Sequence, residues 1–212
     1  MNWNWKSRGF RIDRNCQLLR ILDNCFFFDG VGGAGKTFLN NLIIKTLLSR
    51  GKKVIAVAST GIAATLMLTA RTAHSAFKIP VPCVENSTSS IKLHTPEAKE
   101  LEKADLVLWD EATMASADML KVVNGVFQFV RKNKLPFGGV TTVFSGDFRQ
   151  CLTVVEHGNK TTIIEACLQS CFLWCLFEIL RLTENMRTGE GEKEYADFIL
   201  KVGNGEVLLM IT

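Results

Sequence analysis

The run Gly30-Val31-Gly32-Gly33-Ala34-Gly35-Lys36-Thr37 constrains this chain more than any other stretch. It meets the phosphate-loop pattern G-x-x-x-x-G-K-[ST] at each fixed position. The apolar run Cys25-Phe26-Phe27-Phe28 before it reads as a buried strand. Phe38 to Ser49 after it reads as a helix, with Leu39, Leu42, Ile43, Thr46 and Leu47 on one face. A glycine-rich loop between strand and helix lets backbone N–H groups curl around an anion, and the helix start adds its positive dipole end. Gly30, Gly32, Gly33, Ala34 and Gly35 would form the cradle. Lys36 would reach the β- and γ-phosphates, and the Thr37 hydroxyl would bind Mg²⁺.

A loop of this kind needs a sheet, and the rest of the chain supplies one. Lys53 to Ala58 is a near-continuous apolar run, as expected of a strand covered on both faces. Leu106 to Trp109, Val140 to Phe144 and Phe177 to Leu182 are further strands. Between them the spacing predicts helices over Ile62–Leu68, Pro96–Lys103 (capped by Thr95), Met119–Val130 and Thr161–Trp174. A last helix over Lys193–Val202 is stopped by Gly203 and Gly205. Arg71 to Phe77 is mixed and polar, and Pro80 to Ser90 is a loop. This alternation predicts an α/β fold, a P-loop domain with a doubly wound, mostly parallel sheet and helices on both faces. Ligands then bind at the carboxyl ends of the strands.

The polar motifs sit at those ends. Asp110-Glu111 follows an apolar strand, so Asp110 would hold Mg²⁺, directly or through water, and Glu111 would orient or deprotonate an attacking water. Gln150, in Gly146-Asp147-Phe148-Arg149-Gln150, carries an amide able to read a γ-phosphate or that water. Arg187, after the last strand, has a guanidinium that matches phosphate geometry.

Length and composition bound the rest. With 212 residues, 47% hydrophobic and 22% charged, the chain supports one core and a small appendage. Residues 1–22 form a basic N-terminal segment with Trp3, Trp5 and Phe10 among the cations, and Cys16 to Leu22 reads as a short helix. The main unit spans 23–206 and a short tail 207–212. Net charge is +4, compatible with a nucleic-acid partner without arguing for one. Met1 to Arg14 lacks the apolar core of a secretory signal, and no apolar stretch reaches membrane-spanning length. Asp13 and Asp23 weigh against reading Arg8, Arg11, Arg14 and Arg20 as a transit peptide. Seven cysteines have no paired metal spacing. Cys167, Cys171 and Cys175 recur every four residues and would share a helix face as buried thiols, which points to a reducing, intracellular compartment. The nucleus is the first expectation and the mitochondrion the second.

Taken in order, five segments carry a resemblance. They are Ala58-Ser59-Thr60-Gly61-Ile62-Ala63-Ala64, Arg71 to Pro80, Trp109-Asp110-Glu111-Ala112, Gly146 to Gln150, and Leu182-Thr183-Glu184-Asn185-Met186-Arg187. The set resembles the PIF-type DNA helicases of superfamily one, especially the branch carried by Helitron transposons, from about Cys25 to Glu206. The resemblance implies a RecA-like first motor domain over 23–206 and an ATP-driven 5′→3′ motor on single-stranded DNA, of the repair, recombination or transposon type. It assigns Ser59, Thr60, Gly61, Arg71, Thr72, His74 and Ser75 to the DNA track. Small hydroxyl residues and N–H groups at a helix start can hold phosphates without reading sequence. It gives Gln150 and Arg187 the γ-phosphate-sensing roles.

The chain departs from the family pattern at several turns. Thr69-Ala70 stand where a Gly-Gly turn is usual, Thr113 and Thr153 where a Pro is common, and Ser145 where a Gly precedes Gly146-Asp147. The adenine-contacting Gln usually lies further upstream than Gln17. The family's second motor domain, with its arginine finger, should follow Glu206, where Val207 to Thr212 stand. Such a finger contributes roughly 10³–10⁵ in rate. The expectation is a chain that binds Mg-ATP, engages DNA weakly, hydrolyses slowly and does not unwind. Two other readings are a catalytically incompetent ATP- and single-stranded-DNA-binding module and a small P-loop nucleotide kinase or switch. No arginine-rich kinase lid and no base-reading Asn-Lys-x-Asp stretch supports the last.

Overall fold

The computed structural model describes residues 25–150, 154–155, 158–186, 193–203 and 206. The N-terminal segment with its short helix, Gln17, Thr153, Arg187 and the 207–212 tail lie outside the described residues. Six parallel strands form one sheet in the order β3-β2-β4-β5-β1-β6. They are β1 (Cys25–Gly30), β2 (Val54–Ala58), β3 (Arg71–Thr72), β4 (Leu106–Asp110), β5 (Thr141–Gly146) and β6 (Glu178–Leu182).

The apolar runs are buried on both faces because alternate side chains enter different cores. Phe27, Val57, Val107, Trp109 and Phe144 pack on one side, with Phe77, Leu101, Leu120, Val123 and Phe127. Phe26, Phe28, Ala56, Ala58, Leu108 and Val143 pack on the other, with Ile44, Ala63, Ala64 and Met67. The helices covering the first face are α3 (Ala73–Phe77), α4 (Pro96–Glu102) and α5 (Ala117–Arg131). Those covering the second are α1 (Lys36–Ser49) and α2 (Gly61–Leu66). Helix α5 starts where the Ser116 hydroxyl accepts from Met119 N–H, and helix α4 where Thr95 accepts from Ala98 N–H. Among the described residues, no helix is long and apolar enough to cross a membrane.

Register aligns the carboxyl ends of the strands. Asp29 lies opposite Gly146, Gly30 opposite Leu182, Ala58 opposite both Asp110 and Thr72. The loops that leave these ends therefore stand in one row.

Two expectations are corrected, and one stretch that had no assigned element receives two. The helix over Thr161–Trp174 is instead α6 (Lys160–Ala166) followed by two short 3₁₀ turns, Leu168–Ser170 and Phe172–Leu176. Cys167 is extended, φ −63° and ψ 149°, and bridges to Ser116. This bridge breaks the helix and turns Leu168, Cys171 and Leu173 inward. Consequently the three cysteines share no helix face: Cys167 and Cys171 are buried and Cys175 is exposed. Burial raises the Cys171 thiol pKa, and among the described residues no group of three His, Cys, Asp or Glu is placed to hold a metal. Second, the buried stripe of α1 is Lys36, Asn40 and Ile44, flanked by Leu39, Ile43 and Leu47, while Leu42 is exposed. The polar Asn40 hid this stripe from a hydrophobic pattern. The polar stretch Arg71–Phe77 holds the two-residue edge strand β3 and helix α3. The chain's last described helix, α7 (Lys193–Gly203), lies where expected.

Candidate nucleotide site and neighbouring track residues

Strand β1 ends at Gly30 and the loop closes with Ala34 N–H donating to Val31 C=O at 3.1 Å. Gly33 and Gly35 hold φ of 87° and 82°, a region that strains residues with a Cβ. Gly35 is the N-cap of α1 and has no side-chain cap bond, so first-turn N–H groups remain for an anion. Gly32 serves close approach: a Cβ there would stand 2.9 Å from Gln150 Nε2. A Cβ at Gly30 would stand 3.0 Å from that of Leu182. The loop is pinned further by Met186 N–H donating to Gly33 C=O at 2.9 Å.

Lys36 is buried, and its Nζ donates to the Gly30 and Val31 carbonyls. Thr37 Oγ1 lies 3.5 Å from Asp110 Oδ2. Oxygen atoms on a 2.0–2.1 Å magnesium shell stand about 3 Å apart at adjacent corners, so this pair of hard oxygen donors fits that cation. Asp110, 3% exposed, uses Oδ1 to accept from Ser145 Oγ at 2.7 Å and from Glu111 N–H at 3.0 Å. Ser145 Oγ accepts in turn from Asn40 Nδ2 at 2.8 Å. Neither Asn40 nor Ser145 was among the residues that the motifs single out. The signal for them was faint: one asparagine a helical turn after Lys36, and one serine where a glycine is usual.

Glu111 has left-handed backbone, φ 51° and ψ 37°, at the turn leaving β4. Such a conformation in a non-glycine residue is uncommon and gathers at functional sites. Burial raises its carboxyl pKa above the ordinary glutamate range. The Asp110 and Asp147 charges push the same way, and Lys36 opposes them. Glu111, Lys36, Thr37, Phe38, Gln150, Met186 and the loop glycines line one cavity of about 430 Å³. The lysine and the acidic pair therefore meet on the same edge of the sheet. Phe38 and Met186 are wall residues that motif reading missed, because neither carries polar chemistry. Asp147 is buried and braces its own turn: Oδ1 accepts from Arg149 N–H at 3.1 Å and Nη1 at 3.2 Å.

The residues assigned to the track lie along the other half of the edge, after β2 and β3. Ser59 Oγ donates to Glu111 C=O at 2.7 Å and accepts from Trp109 Nε1 at 3.0 Å. Thr60 Oγ1 accepts from Ala63 N–H and caps α2, whose first residue, Gly61, is exposed. Thr72 Oγ1 accepts from Ser75 N–H and caps α3. Arg71 pairs with Glu100 at 2.6 Å, His74 is half-buried and Ser75 is exposed.

A family profile described as PIF1-like helicase matches residues 17–210. This chain belongs to the PIF1-like helicase family. It is 34% identical over 176 residues to the ATP-dependent DNA helicase Pif1 of Psychrobacter, covering 82% of this chain and 27% of that protein. It is 30% identical over 199 residues to the Pif1 of Bdellovibrio bacteriovorus, covering 90% and 42%. Among solved structures it resembles Bacteroides Pif1 bound to single-stranded DNA, with TM-score 0.75 and 28% identity, covering 89% of this chain and 44% of that one. The Bacteroides complex with ADP-AlF3 and single-stranded DNA gives TM-score 0.77 and 26% identity, covering 90% and 44%. The sheet is the RecA-like one that these PIF1-like helicases share. The chain thus spans between about a quarter and under half the length of these relatives.

Proposed function

We propose that residues 23–206 are a first motor domain that binds Mg-ATP at the β1, β4 and β5 ends, as part of an intracellular 5′→3′ DNA helicase. The observation that carries this reading is the meeting of Lys36, Thr37, Asp110 and Glu111 at one end of the sheet. Lys36 and the loop N–H groups bind and orient the triphosphate. Thr37 and Asp110 would hold the magnesium ion, which supplies charge neutralisation at the transferring phosphate. Glu111, with its raised pKa, takes the proton of the attacking water, and Gln150 against Gly32 positions that water or the γ-phosphate. Arg187 is proposed as a second contact to the γ-phosphate.

Single-stranded DNA would run across the ends of β2 and β3. The α2 and α3 N-termini offer N–H groups there, and Arg71 and His74 offer side-chain donors. The Bacteroides relative bound to single-stranded DNA supports this assignment. For this polypeptide assayed by itself, the proposal is nucleotide binding with slow turnover and no strand separation. The test is the ATPase rate with and without single-stranded DNA. Stimulation by DNA supports the motor reading. Basal-only turnover contradicts its DNA half, and ATP binding without any turnover favours the incompetent binding module.

A further inference from the structure

We propose that Asn40 and Ser145 are positioning residues that lock the Asp110 carboxylate, so that a single oxygen, Oδ2, faces the magnesium ion. The inference rests on the nucleotide-site reading above and extends it to residues outside that site.

All three side chains are buried: Asn40 and Ser145 are 0% exposed and Asp110 3%. A buried hydroxyl must find partners, and Ser145 has two at short range, Asn40 Nδ2 at 2.8 Å and Asp110 Oδ1 at 2.7 Å. The hydrogen directions are fixed by elimination. An ionised carboxylate only accepts, so the single Ser145 proton goes to Asp110. Ser145 then accepts from Asn40, which requires the amide nitrogen, not the amide oxygen, to face it. Asn40 Oδ1 consequently points away, with no partner among the described residues. Burying that oxygen has a cost that the relay must offset.

At Asp110 the result is asymmetric. Oδ1 accepts two donors, Ser145 Oγ–H and Glu111 N–H. Oδ2 lies beside the Thr37 hydroxyl at 3.5 Å. Rotating the carboxylate would break both bonds to Oδ1 at once, and that oxygen is not offered to a cation. The relay also joins two parts of the site that are distant in sequence. Asn40 sits one turn after Lys36 on α1, so the phosphate helix is tied through Ser145 on β5 to the carboxylate on β4. A glycine at 145 would have no hydroxyl to make this link. The coupling therefore depends on this chain's own serine.

The test measures binding of a fluorescent ATP analogue to the full chain, in EDTA and across a magnesium titration. Thermal unfolding confirms that each variant is folded. In the wild type, magnesium should strengthen binding. In Ser145→Ala and in Asn40→Leu, the magnesium concentration for half-maximal effect should rise about tenfold, the usual consequence of removing a partner behind a metal ligand. Should Ser145→Ala fail to fold, Ser145→Gly carries the same expectation. An unshifted magnesium midpoint in the folded Ser145 and Asn40 variants overturns the positioning role and leaves the nucleotide site standing. A wild type whose nucleotide binding ignores magnesium overturns both.

Discussion

The two halves of the sheet's carboxyl edge are built differently. On the phosphate side, the groups that would touch ligand are held by partners from distant segments of the chain. Gln150 rests on Gly32, Met186 bonds Gly33, and Asp110 is gripped from β5. On the track side, Thr60 and Thr72 each cap only the helix that follows them, and Arg71 reaches an exposed glutamate. The first half is preorganised for a small, highly charged ligand. The second presents two short helix ends, each held by contacts local to itself. Ser59 bridges the halves, with its hydroxyl between Trp109 and the Glu111 carbonyl.

Substitutions can break or sharpen this contrast. The largest effect is expected from Glu111→Gln, which should lower turnover by about 10²–10⁴-fold, measured as phosphate release, while nucleotide still binds. Ser59→Ala should behave as a structural lesion although the family resemblance assigns it to DNA. Leaving the Trp109 N–H unpaired costs about 1–3 kcal/mol, read by denaturant unfolding. If Ser59→Ala weakens DNA binding with stability intact, the two halves are not joined there.

Acidity gives a subtler test. The Glu111 pKa is raised in the folded protein, so its contribution to stability is present at low pH and is lost as pH rises through the folded value. Wild type should therefore lose stability relative to Glu111→Gln as pH rises above the ordinary glutamate range. The acidic limb of the ATPase profile should lie above that range. The smallest change is expected for Arg71→Ala. Its half-exposed pair with Glu100 contributes under about 1 kcal/mol to folding. The same change should reduce the salt slope of single-stranded DNA binding by about 0.7.

How much of this was legible beforehand follows the same division. The phosphate loop, Asp110 and Glu111 are readable because each motif is contiguous and follows an apolar strand. Strands β1, β2, β4 and β5 were readable because both faces are largely buried, which makes nearly continuous apolar runs; β6, mostly exposed, was readable only from its apolar residues Ile179, Leu180 and Leu182. Strand β3 was not, since Arg71-Thr72 is a polar edge pair specified by its neighbour β2. The Thr161–Trp174 helix misled because inward-turned Leu168 and Cys171, three residues apart, imitate a helical stripe, whereas the bridge from Cys167 to Ser116 decides the backbone. Asn40 and Ser145 escaped because their meaning lies in a contact across 105 positions of chain. The assignment of Ser59, Thr60, Gly61, Arg71, Thr72, His74 and Ser75 to a DNA track comes from the family resemblance alone, since these residues carry no motif chemistry.

The most direct check on the account is calorimetric titration of Mg-ATP analogue into the wild-type chain and into Lys36→Ala. Saturable one-to-one binding that disappears in Lys36→Ala is the expected result. Equal binding by a folded Lys36→Ala chain would contradict the placement of the triphosphate in the cavity between the phosphate loop and Glu111.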